Sequence, residues 1–373
     1  MFWGNVNPGQ RMLVLLLIFL MFLALFYGAV RAILPHEATL RRRLGQGLSV
    51  VIIGAWLLPT AWLYWQLMSY PQPPSQIRNR SNVLPPLLER GQALETLTGA
   101  QARTVSAEVI ELAKQPGFVA IPWEADLLGR KNYNSSRLDE LQTARSITRG
   151  LEAQAIAQEA IDPNLAVEPL LACLRLGNML EHEGLMVHGL VGYALDGVGL
   201  SHLIRLREKI SIPKTREIIS LIESQEKSRD NGDVVRDKLW YSLNDRWAFR
   251  LDQVLHSAEE DGGNPSYRYY DLGNKRIRCI TRLLLIDLAL RTYHAEHGNF
   301  PPKMESLVPK YLSQVPLDPF VEKPFIYRLR DGGEFVLYSV GGDGVNNGGV
   351  FDPLAHIPGQ WDGYDLSLDT PRE

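Results

Sequence analysis

Leu283-Leu-Leu-Ile-Asp-Leu-Ala-Leu-Arg-Thr-Tyr-His-Ala-Glu-His297 is an apolar run at helical spacing, and it stops at Gly298-Asn-Phe-Pro301. Glycine followed by proline is the usual way a helix is ended, so the spacing predicts a long helix closing near His297. Leu307-Val-Pro-Lys-Tyr-Leu312 and Pro316-Leu-Asp-Pro319 follow as short elements separated by turn residues. Glu334-Phe-Val-Leu-Tyr-Ser-Val340 then reads as a strand, and it runs into Gly341-Gly-Asp-Gly-Val-Asn-Asn-Gly-Gly349. The helix, the short elements and the strand together mark a separate C-terminal domain over 272–373.

Upstream of this unit the periodicity is helical throughout. Asp162-Pro-Asn carries N-capping chemistry, and Leu170, Leu171, Leu174, Met179 and Leu180 supply an apolar face behind it. After Glu183-Gly184 a second helix is expected from Leu185 to about Lys209. Its Leu190, Val191, Ala194, Leu195, Val198 and Leu203 share a face, and Gly189, Gly192, Gly197 and Gly199 permit close helix approach. A third begins at Ser211-Ile-Pro-Lys with Ile218, Ile219 and Ile222 inward, and a fourth spans Asp233 to Leu255. These predict an α-helical domain over 80–258, closed by Asp261-Gly-Gly-Asn-Pro265.

The N-terminus reads differently. Met12–Leu34 and Leu48–Met68 are almost unbroken apolar runs of about 20 residues, the length that crosses roughly 30 Å of hydrocarbon. Two transmembrane helices are therefore expected within an anchor over 1–70, with the lipid bilayer as a partner. Arg41, Arg42 and Arg43 lie between the runs, so the positive-inside tendency places that loop in the cytoplasm and the later domains outside the inner membrane. Pro71-Gln-Pro-Pro-Ser75 forms a stiff linker over 71–79.

Composition narrows the function classes. A net charge of -3 gives no electrostatic reason to expect nucleic acid. The two cysteines, Cys173 and Cys279, sit in apolar helical patterns and form no metal motif. Glu181-His-Glu-Gly-Leu-Met-Val-His188 superficially resembles a zinc-protease motif, but residues six apart on a helix lie about 120° from each other, and Gly184 interrupts the helix between the histidines. His294 and His297 suit the negative end of a helix. No nucleophile elbow, phosphate-binding loop or dinucleotide fingerprint is present. Catalysis is not indicated.

The final loop carries the strongest ligand signal. It holds five glycines in nine residues, which free the backbone to let oxygens converge. Asp343, Asn346, Asn347 and the later Asp352, Asp362 and Asp365 offer the hard oxygen donors that calcium prefers.

Tyr293-His-Ala-Glu-His-Gly-Asn-Phe-Pro301, Val315-Pro-Leu-Asp-Pro319, Pro324-Phe-Ile-Tyr327 and Leu337-Tyr-Ser-Val-Gly-Gly-Asp-Gly344 occur in this order. The series resembles the C-terminal domain of the major pseudopilin of type II secretion systems, over roughly 274–369. The whole chain is similar in pattern to uncharacterised membrane proteins of planctomycete-type bacteria. The resemblance implies an α+β fold, a long helix on a small antiparallel sheet, and a calcium loop after the last main strand, with Asp343 in its first turn and Asp365 contributing later. Pseudopilins open on a processed leader and one membrane helix, whereas two spans and a helical domain are expected ahead of the helix here, so assembly into a fibre is not expected.

The function expected from these readings is that of a membrane-anchored, non-enzymatic extracytoplasmic protein. It would combine a helical interaction domain with a pseudopilin-like cap and work with envelope or secretion proteins. Two alternatives are a metal-dependent hydrolase using His182 and His188, and a calcium- or solute-sensing receptor subunit.

Overall fold

Eight helices and two small sheets are present in the computed structural model, which describes residue 61 and residues 80–95, 97, 99–125, 127–229, 231–244, 265–349 and 365–369. The helices are α1 (Leu84–Gln92), α2 (Gly99–Ala113), α3 (Leu127–Glu159), α4 (Val167–Glu181), α5 (Met186–Leu206), α6 (Ile212–Ser228), α7 (Asp233–Asn244) and α8 (Pro265–His297). Strands β1 (Leu317–Asp318) and β2 (Lys323–Pro324) form one antiparallel pair, and β3 (Ile326–Leu329) and β4 (Phe335–Tyr338) form another. Nearly all of these elements belong to one compact unit, Pro74–Trp240 with Asn264–Glu373; the other unit comprises Met1–Pro73 and Tyr241–Gly263.

The expected fold class requires a correction. Among the described residues, no helix is long and apolar enough to cross a membrane. The longest, α3 and α8, have 33 residues each but carry charge along their length, including Arg137, Asp139 and Glu140 in α3 and Lys275, Arg276, Arg278 and Arg282 in α8. The more apolar α5 contains Asp196 and Arg205, and each ionised side chain at mid-membrane costs roughly 3 kcal/mol. The runs expected to span, 12–34 and 48–68, lie outside the described residues apart from Ala61. The linker expected over 71–79 and the second half of the fourth helix also lie outside them.

Helix α8 is the centre of the unit. Cys279, Leu283, Leu284, Leu285, Ile286, Leu288, Ala289 and Leu290 are all buried, which no one-faced amphipathic helix would achieve. It manages this because α5 and α6 cover one side while β1, β4 and the 3₁₀ turn Met304–Leu307 cover another. One hydrophobic cluster therefore runs from Leu170 and Leu203 through α8 to Leu312, Phe325 and Leu337. The segments expected as a helical domain and as a C-terminal domain thus share a core.

Helices α4 and α5 pack at backbone contact. A Cβ placed on Gly177 would lie 2.8 Å from the carbonyl oxygen of Gly192, and one on Gly192 would lie 2.7 Å from that of Gly177. Gly199 meets the carbonyl of Leu170 in the same seam, and Gly189 instead makes room for the Tyr270 hydroxyl. Gly197 has no such close neighbour beyond Ile277. Leu190, expected inward, is 47% exposed, because the seam turns the opposite side of α5 towards α4. Asp162 does not cap α4, which starts only at Val167; its Oδ1 accepts the Asn164 N–H in a preceding turn.

Candidate functional site

A cleft of about 610 Å³ opens where the helical layer meets the C-terminal elements. Its walls come from the end of α5 (Arg207, Glu208), the start of α6 (Ile212, Thr215), the end of α8 (Arg291, His294) and the β3–β4 turn (Gly332, Gly333, Glu334, Phe335). The turn follows from sequence: Gly332 and Gly333 both have positive φ, at 105° and 89°, which side-chain-bearing residues rarely adopt.

Two guanidiniums on this wall share one buried carboxylate. Asp287 of α8 accepts from Arg291 Nε at 2.7 Å and lies 3.5 Å from Arg207 Nε. Burial pushes the Asp287 carboxyl up, and the hydrogen bond from Arg291 opposes that shift. Arg207 is held further by the carbonyl of Ile204 at 2.7 Å, which leaves its side chain 12% exposed. Their remaining partners are exposed: Arg207 meets Asp369, which is 74% exposed, and Arg291 meets Glu208 at 3.0 Å. The lining is also aromatic. The His294 ring stacks on Phe300 at 4.5 Å, and Phe300 meets Phe335 edge-on at 4.7 Å.

The histidines singled out in the sequence have structural partners. His188 is buried, and its Nδ1 accepts the N–H of Leu185 at 3.1 Å, which caps the start of α5. Burial pushes its pKa down to about 4, so the ring is neutral near pH 7. His182 closes α4 in an extended conformation, and its carbonyl accepts from Val119 N–H at 2.9 Å. The two rings are not gathered into a metal site: among the described residues, no group of three or more His, Cys, Asp or Glu is placed to hold an ion. His297 stacks on Tyr293 at 4.1 Å.

The glycine-rich loop places its candidate ligands unevenly. Asp365 is 1% exposed and accepts the N–H of Asn347 at 3.3 Å and of Gly349 at 2.6 Å. Asn346 Oδ1 accepts both the Tyr338 hydroxyl and the Gly348 N–H at 2.9 Å. Asp343 is exposed, and its Oδ1 accepts from Val345 N–H within its own turn. Asp365 and the backbone of Asn347 are thus brought together, while Asp343 serves a separate turn. Calcium takes roughly six to eight oxygens. Here Asp365 Oδ1, Asp365 Oδ2 and Asn346 Oδ1 each accept at least one protein hydrogen bond, and among the described residues no group of acids and histidines is placed to hold an ion.

No family model, curated protein or solved structure matches this chain. The expected placement among pseudopilins of type II secretion therefore has no family match behind it, and the functional reading rests on geometry.

Sequence reading missed two features. Asp318, inside Pro316-Leu-Asp-Pro319, is buried and accepts the N–H groups of Phe320 and Val340, which explains an aspartate at that position. A buried ionic network also joins Glu181 of α4, Asp196 of α5, and Glu226 and Arg229 at the end of α6. Arg229 lies 3.3 Å from both Glu181 and Glu226, and Asp196 neighbours Glu181 in the same buried cluster. Burial and the neighbouring Glu181 push the Asp196 carboxyl well up, and burial pushes Glu181 up as well. The visible signal was an aspartate inside the otherwise apolar Tyr193-Ala-Leu-Asp-Gly-Val-Gly-Leu200.

Proposed function

We propose that this protein is a non-enzymatic binding protein, and that the cleft between its helical layer and its C-terminal elements receives a small carboxylic acid with an apolar body. The observation that carries this reading is the Arg207–Asp287–Arg291 arrangement on the cleft wall. Two guanidiniums share one buried carboxylate, and each also meets an exposed one, Asp369 for Arg207 and Glu208 for Arg291. Exposed ion pairs are worth roughly 0–1 kcal/mol, so a ligand carboxylate displaces Asp369 or Glu208 at little cost. Arginine presents the planar fork that matches a carboxylate, and Phe300 and Phe335 offer the apolar body a wall. The cleft's volume lies within the common range for small-molecule sites.

The test is calorimetric titration of the full chain with 3-phenylpropionate and with its neutral amide. Saturable binding of the acid, absent for the amide and lost in Arg207→Gln with unchanged circular dichroism, supports the reading. Absence of binding at millimolar acid, or equal binding of acid and amide, removes it.

A further inference from the structure

The glycine-rich loop after β4 points some of its backbone donors at buried oxygens. Val340 N–H donates to Asp318 Oδ2 at 3.3 Å, and Gly341 N–H to Ser339 Oγ at 3.0 Å. At the far end, Asn347 N–H and Gly349 N–H donate to the two oxygens of Asp365. Asp318, Ser339 and Asp365 are each at most 1% exposed. Gly341, Gly344, Gly348 and Gly349 have φ between 67° and 85°, so the N–H groups can turn inward where side-chain-bearing residues would strain. The N–H groups of Asn347 and Gly349 converge on one carboxylate, an arrangement that favours negative charge.

We infer that this loop is a carboxylate site whose resident ligand is the chain's own Asp365, brought in by the Leu366–Ser339 bridge. That bridge pairs both backbone groups at 2.9 Å and sets Asp365 beside the loop. The carboxylate therefore does the work of holding the loop closed that the sequence suggested for a calcium ion. A buried carboxylate accepting two N–H groups is a charge-assisted pair, stronger than a neutral hydrogen bond. This inference is independent of the cleft and its ligand.

The test is chemical rescue in the full chain. Asp365→Ala should lower Tm by several degrees, and sodium formate should restore part of the loss in a saturable way that sodium chloride at equal ionic strength does not reproduce. In the wild-type protein, hydrogen exchange of the 341–349 peptide should be equally slow in EGTA and in millimolar calcium. Should Asp365→Ala not fold, Asp365→Asn takes its place: it keeps the shape but loses the charge, so its loop should exchange faster. A calcium-dependent rise in wild-type Tm, an unchanged Tm in Asp365→Ala, or loop exchange that slows only with calcium overturns the inference.

Discussion

Gly177 and Gly192 face each other across the α4–α5 crossing with no room for a side-chain carbon between them, since a Cβ on either would lie within 2.8 Å of the other's carbonyl oxygen. Both obstacles are backbone atoms, which cannot swing aside. Gly192→Ala gains roughly 0.5–1 kcal/mol of helix propensity, but overpacking a closed seam costs about 1–3 kcal/mol. The expected outcome is net destabilisation, measured as a lower urea midpoint. Gly273→Ala, where a Cβ meets nothing within 4 Å, should leave the midpoint unchanged or raise it.

The core shared through α8 predicts a single cooperative transition for the described unit. Ile286→Ala removes a fully buried side chain and should cost about 2–5 kcal/mol. Hydrogen exchange should then quicken both in α5 and in the β3–β4 hairpin. Loosening confined to the hairpin would show that the two parts unfold separately.

Glu181 and Asp196 should respond differently to substitution. Glu181→Ala leaves Arg229 buried without that partner, a loss expected to cost about 3–5 kcal/mol. Asp196→Asn keeps a neutral donor facing Glu181 and should change stability far less. Because Asp196 is raised in the folded chain, its contribution is full below the ordinary carboxylate range and is lost as pH rises above it. Denaturant curves of Asp196→Asn should accordingly lose part of the wild-type decline towards neutral pH.

His188 sets an opposite dependence. Unfolded, its imidazole titrates near 6.5, and folded near 4, chiefly because of burial. Between those values only the unfolded chain takes up the proton, so this stability is full above 6.5 and lost as pH falls towards 4. Asp237, raised by burial to about 6, acts in the reverse sense across the same range. The difference between wild type and His188→Gln isolates the histidine. Glutamine retains a capping acceptor at this helix position, so the variant should be closer to wild type at pH 5 than at pH 7.

Cys173 and Cys279 are both free and fully buried, and burial pushes both thiols up. Neither should react with a thiol reagent in the native protein, and both should react at the rate of global unfolding. Rapid modification of either in the absence of denaturant would contradict the burial.

Local rules in the sequence were enough to place the helices after residue 160 and the strand before the glycine loop. Apolar spacing, the Gly298 stop and the isoleucines of α6 act over a few residues, so their signals survive without a partner. Asp365 was singled out by the family resemblance and not by these rules, and neither could tell whether its oxygens would face a cation or backbone N–H groups.

Only the tertiary structure decided the rest. Leu283–Leu290 is buried all round because segments from both ends of the unit close over it, and no periodicity encodes which neighbours arrive. Asp287, Arg207 and Arg291 become one site through contacts across 80 residues of chain, and Arg207 reaches Asp369 across 162. The sequence by itself determined which segments are helices and where they stop, since those are set by neighbouring residues. The fold decided what each charged side chain faces, since an ionisable group's chemistry depends on partners and burial that local sequence does not contain.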